Sequence, residues 1–281
     1  MRSRLFSVLL PGLLFLETAA HALIVHGDPG PMPDPAAYVG SFSDASGVYL
    51  GDLHGDGSHW VITANHVTKA GTFTIGGYTY DVLDGKQVAP GLDLYVFRID
   101  VPVDSPILSL SPMVLASTTA LNGTPLVMVG NGGSNQSGLT TWNAAWEAGE
   151  LPTAYTGYTY TVNGRTFTWG SGESQAVTSE GYNYVVSYFE QEAGSAAGVV
   201  GDSGGGMFVN VGGEWQLAAV MVSNGRYEGQ PGNVAVFGNL TAGLNVATYR
   251  DLILAAIPEP SFGGVAGVAV LLGVLRRKRR A

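Results

Sequence analysis

The chain has 281 residues, 41 of them glycine and none cysteine, with a formal net charge of −9. With no cysteine, no disulfide can staple the fold, and an ordinary hydrophobic core must hold it. The acidic balance argues against nucleic acid as a partner, because a polyanion is bound chiefly through Lys and Arg.

Residues 1–22 read as a secretory signal. Arg2 and Arg4 make a positive start, residues 5–16 are an apolar run, and Ala20-His21-Ala22 is a small-x-small cleavage site. Strand-like stretches with turn signals between them follow. Residues 73–75 and 78–82 flank Gly76-Gly77, and residues 159–162 and 165–169 flank Asn163-Gly164, so each pair predicts a hairpin. Further apolar strands are predicted at 59–63, 94–97, 125–129, 184–188, 206–210 and 215–222. Residues 131–157 predict an extended loop. One helix is predicted over 246–256, with Asn245 as N-cap and Pro258 as the stop. Many short strands with glycine-rich turns and one late helix predict an all-β sandwich or barrel.

The C-terminal stretch 258–281 has its own organisation. Pro258-Glu259-Pro260 precedes an apolar run, FGGVAGVAVLLGVL, and the basic cluster RRKRR. The run is short against the roughly 20 residues that span a bilayer. The basic tail would hold that end on the cytoplasmic side, making this segment the only membrane contact expected. The order of these parts resembles the PEP-CTERM sorting signal of Gram-negative bacteria. That resemblance implies an exosortase-type processing enzyme as partner and a destination at the cell envelope, outside the cell or in an extracellular matrix. With both ends removed, residues 23–257 keep 6 basic and 20 acidic residues, a net charge of −14.

The segment GVVGDSGGGMF, residues 198–208, poses the functional question. A serine hydroxyl is a weak nucleophile unless a base takes its proton as it attacks. Histidine is the usual base, and all five histidines precede Ser203. An α/β-hydrolase, which Gly201-Asp202-Ser203-Gly204-Gly205 also fits as a G-x-S-x-G elbow, needs its histidine after the serine and is excluded. His66 ends an apolar strand in the string VITANH. His54 and His59 flank the polar turn Gly55-Asp56-Gly57 and are expected in solvent. Asp52 and Asp56 lack the spacing of a calcium loop, so no metal or cofactor is expected. The orienting carboxylate is expected to be Asp93, which alone begins an apolar strand between His66 and Ser203.

The strings TANH, DLYVF and GDSGG, in that order, resemble the chymotrypsin-like serine peptidases. Val222-Ser223-Asn224-Gly225 resembles the family's substrate-binding strand edge, and Ile24-Val25-His26-Gly27 its mature N-terminus. The resemblance spans about residues 24–256. It implies two antiparallel six-stranded β-barrels, near 24–120 and 121–245, followed by the helix. It implies a catalytic set of His66, Asp93 and Ser203, and an oxyanion hole from the backbone N–H groups of Gly201 and Ser203. Asp202 would pair with the freed amine of Ile24, one residue beyond the cleavage expected after Ala22. Ala197 would lie at the base of the primary pocket, beside Ser223, Asn224 and Gly225. With no acid there, apolar or aromatic substrate side chains are expected. The function expected is a secreted serine endopeptidase acting on protein or peptide substrates. A catalytically silent matrix or adhesion protein and a serine esterase on the same scaffold are the alternatives.

Overall fold

The computed structural model describes residues 23–42, 45–67, 71–132, 137–139, 159–162, 165–227 and 234–259. The predicted N-terminal signal, all but the first two residues of the C-terminal one, and nearly all of the extended loop expected over 131–157 lie outside these residues. No helix among the described residues is long and apolar enough to cross a membrane.

The first half is a closed antiparallel barrel of six strands: β1 (Val39–Phe42), β2 (Ala45–Gly51), β3 (His59–Thr63), β4 (Thr72–Ile75), β5 (Tyr78–Gln87) and β6 (Tyr95–Ile99). They neighbour one another in the order β1-β2-β3-β6-β5-β4, and a single Ser41–Thr74 pair joins β4 back to β1. The barrel is filled by Phe42, Tyr49, Val61, Phe73, Ile75, Tyr80, Phe97 and Ile99. Glycines make room for these rings. A Cβ on Gly40 would lie 2.5 Å from the Phe73 ring, and one on Gly47 would lie 3.0 Å from Val61 and 3.2 Å from Phe42. His59, expected in a solvated turn, is instead buried at the start of β3, where its Nδ1 and the Tyr49 hydroxyl share a 2.7 Å hydrogen bond. Burial pushes its pKa below the ordinary value.

The second half is built from β7 (Pro125–Gly130), β8 (Thr159–Val162), β9 (Arg165–Glu173), β10 (Gln175–Ser179), β11 (Tyr182–Tyr188), β12 (Gly206–Val211), β13 (Glu214–Gly225) and β14 (Leu240–Asn245). Their order is β8-β9-β7-β12-β13-β14-β11-β10, with the short strand Val114–Leu115 running parallel to β13. Here the structure departs from a second closed six-stranded barrel: the sheet curls into a half-barrel. Its curl is completed by irregular backbone, for Ser171 of β9 bridges Ser195 and donates its N–H to the Gly194 carbonyl at 2.7 Å. The helix α1 (Val246–Ala256) forms as expected, capped by the Asn245 side chain accepting from the Ala247 and Thr248 N–H groups.

The halves share one core. Val48, Ile62 and Leu94 from the barrel pack in the same cluster as Phe208, Leu217, Leu244 and Ile253 from the sheet and helix. The N-terminal residues go with the second half and not with the first barrel, since Ile24 and Val25 pair with Ala197 and Ala196. Continuous packing between the halves makes the crevice between them a rigid place to assemble side chains from both.

Candidate active site

His66 stands in the turn that follows β3. Thr63 and Ala64 just before it are fully buried, so the backbone is anchored where the imidazole emerges. Asp93 stands in the loop between β5 and β6, between Leu92 and Leu94, both buried in the shared core. That loop is tied at several points. Val88 N–H donates to Leu94 O at 2.9 Å, Gln87 Nε2 to Leu92 O at 2.9 Å, and the Tyr182 hydroxyl, from β11 of the other half, to Gly91 O at 2.8 Å. Gly91 has φ +79°, a left-handed turn that glycine adopts without strain.

These anchors bring three side chains together. Asp93 grips residue 66 with both oxygens: Oδ1 accepts the His66 backbone N–H at 2.8 Å, and Oδ2 accepts from Nδ1 at 2.6 Å. His66 Nε2 lies 2.9 Å from Ser203 Oγ. The tautomer follows from these partners. A carboxylate only accepts, so the ring proton is on Nδ1, and Nε2 is left as the acceptor facing the serine hydroxyl. The arrangement can take a proton from Ser203 as its oxygen attacks, and can stabilise the imidazolium that forms. The His66 side chain is 46% exposed and that of Asp93 35%. The pair is thus more open to solvent than the buried carboxylate expected.

Ser203 is held by a clamp that the sequence did not announce. Ser46 of β2 donates its backbone N–H to Ser203 O at 2.9 Å. Its hydroxyl donates to Gly201 O at 3.1 Å and accepts the Asn131 N–H at 2.8 Å. Thr63 Oγ1 donates to Ser46 O at 2.8 Å. Gly204, at φ +88°, fits under this clamp only because it has no side chain: a Cβ would lie 2.0 Å from Ser46 O and 2.1 Å from Thr63 Oγ1. The barrel therefore positions the serine through backbone contacts as well as through the histidine. Among the described residues, the N–H groups of Gly201 and Ser203 donate to no protein acceptor. They remain available to an oxyanion.

Asp202 is buried and faces away from the histidine. Its Oδ2 accepts from Val199 N–H at 2.8 Å, its Oδ1 from Gly132 N–H at 3.2 Å, and it also accepts the Leu23 N–H. Gly130 and Gly132 give it space, since a Cβ on either would come within 2.9 Å of its oxygen. Burial pushes its carboxyl up to about 7, against the opposing pull of these N–H donors. The residue beside Asp202 is Leu23 and not Ile24. The short strand pairing with Ala196–Ala197 turns the Ile24 side chain into an apolar cluster with Phe189 and Val199, which leaves its predecessor at the carboxylate.

Next to Ser203 is a cavity of about 290 Å³, lined by residues including His66, Gly198, Val200, Met221, Ser223, Asn224, Arg226 and Thr241. Ser223 and Asn224 are among the lining residues. Ala197 does not line it, being committed to the strand pair with Ile24, and Gly198 takes its place. Gly225 is also outside the lining; its Cα face packs on Leu240. Gly198 N–H donates to Thr241 Oγ1 at 2.7 Å, and Asn224 Nδ2 donates to Gly198 O at 3.3 Å. Ser46, Tyr182, Thr241 and Arg226 were missed from sequence. Of these only Arg226 left a signal, as a rare cation directly after the strand edge.

No protein-family model matches the chain, and no curated protein does. Solved structures do. One is the crystal structure of Rv3671c from M. tuberculosis H37Rv, a serine-to-alanine mutant in its inactive form. It is 17% identical, covers 84% of this chain and 100% of that one, and superposes with a TM-score of 0.46.

Proposed function

We propose that the chain is a secreted serine endopeptidase acting through an acyl-enzyme. The observation that carries this reading is the unbroken relay from Asp93 through His66 to Ser203, at 2.6 and 2.9 Å. In the proposed reaction His66 Nε2 takes the Ser203 proton while Oγ attacks a peptide carbonyl. The tetrahedral oxyanion forms between the free N–H groups of Gly201 and Ser203, a kind of contact worth about 3 kcal/mol of barrier per donor. His66 then returns the proton to the leaving amine, and water repeats the sequence on the acyl-enzyme.

Secretion and processing belong to the same reading. The N-terminal signal directs export, the C-terminal segment is the sorting signal, and the enzyme works at the cell envelope or in its matrix. The contact of Leu23 with Asp202 supports a direct activation route. Cleavage after Ala22 leaves the new α-ammonium at Leu23, beside the buried carboxylate, with no further trimming.

The test is labelling by a fluorophosphonate probe, which reports an activated serine. The expected result is a single adduct on Ser203, lost in Ser203→Ala. Absence of the adduct in processed protein supports the silent-scaffold alternative. Hydrolysis of casein as well as short-chain esters distinguishes a peptidase from an esterase.

A further inference from the structure

Resting on the peptidase reading, we infer that the cavity beside Ser203 selects an acidic side chain, glutamate foremost, on the acyl side of the scissile bond. The argument begins with charge. Residues 23–257 carry only 6 basic residues against 20 acidic ones, and one of the 6, Arg226, lines this cavity. Arg226 is exposed and makes no ion pair or hydrogen bond among the described residues. Among the described residues nothing competes for its guanidinium, whose fork of donors suits a carboxylate.

Among the described residues of the lining, no anion cancels it. The one carboxylate there, Asp202, is buried and already occupied by the Val199, Gly132 and Leu23 N–H groups. The neutral groups add donors. Thr241, 2% exposed, uses its oxygen to accept the Gly198 N–H, and its hydroxyl proton has no acceptor among the described residues. Gly198 keeps the space open, because a Cβ there would lie 2.9 Å from the Thr241 methyl group. Val199, Val200 and Met221 supply apolar wall for the methylenes of a side chain whose tip is charged. These features replace the expectation of apolar or aromatic preference, which rested on Ala197 forming the pocket base.

The experiment uses the secreted, processed protein and fluorogenic peptides identical except for Glu, Gln, Asp, Phe or Lys at that position. Glu and Gln have the same shape and differ in charge, so their ratio isolates the electrostatic contribution. The wild type is expected to cleave the Glu peptide at least about 10-fold faster than the Gln peptide in kcat/KM, with the ratio falling at high salt. Arg226→Gln should bring the ratio near one, and Arg226→Glu should favour Lys, while Ser203 still takes the fluorophosphonate label in both. An active, labelled wild type that prefers Phe or shows no Glu/Gln discrimination overturns the inference and leaves the peptidase reading standing. A wild type that takes no label overturns the peptidase reading, and this inference with it.

Discussion

The contact between Leu23 and Asp202 allows a quantitative prediction. Consider two chains that differ only in their start, at His21 or at Leu23. In the longer chain the Leu23 N–H is an ordinary peptide donor, and the Asp202 carboxyl is raised from 3.8 to about 7 by burial. A carboxyl with a raised folded pKa favours folding most when both states are protonated. That advantage falls as pH climbs from about 4, where the unfolded carboxyl ionises, to about 7, where the folded one does. At about 1.4 kcal/mol per pH unit, the full loss is roughly 4 kcal/mol. In the shorter chain an α-ammonium sits at the carboxylate and restores much of this at neutral pH. Its own contribution fades above pH 8, where the amine deprotonates. Urea melts of both chains at pH 4.5, 6 and 7.5 should show the gap between them widening with pH, by up to about 4 kcal/mol. In an Asp202→Asn background the gap should be absent at every pH. A gap that stays constant from pH 4.5 to 7.5, or favours the longer chain at 7.5, refutes the pairing.

Other perturbations follow from the site geometry. Ser203→Ala should lower kcat by on the order of 10⁶-fold in a peptide assay and leave the thermal midpoint near wild type. Asp93→Asn keeps the shape but offers Nδ1 a donor where it needs an acceptor, and should cost about 10⁴-fold in kcat at neutral pH. Gly204→Ala forces a left-handed φ on a side chain and drives its Cβ into Ser46 O; denaturant melts should record a loss of roughly 3 kcal/mol, and retention of wild-type stability would contradict the clamp. Ser46→Ala strands the buried Asn131 N–H and the Gly201 carbonyl, for a loss of roughly 2–4 kcal/mol together with reduced kcat.

Much of this molecule is legible in one dimension, and the legible parts share a cause. The hairpin about Gly76-Gly77, the strands near 125–129 and 206–210 and the capped helix depend on local patterning and turn chemistry, which neighbouring residues carry. His66, Asp93 and Ser203 could be chosen because each sits in a short string whose chemistry is unusual. Strands β1 and β2 left no such mark. Their Gly40, Ser41, Ser46 and Gly47 look like loop residues, yet Gly40 and Gly47 are small because aromatic rings occupy the barrel beside them, and Ser46 is there to hold the serine loop. His59 looked solvated for a similar reason, since its partner Tyr49 lies ten residues away on another strand.

Sequence alone thus determined the strand-rich class, the position of the helix and the three side chains that meet in the crevice. Tertiary structure alone decided that Leu23 and not Ile24 reaches Asp202, that Gly198 and Arg226 and not Ala197 shape the cavity, and that Ser46 holds the serine loop. Those facts turn on strand register and on the closure of one half against the other. A shift of one residue reverses which side chain faces the site, and no local pattern records that choice.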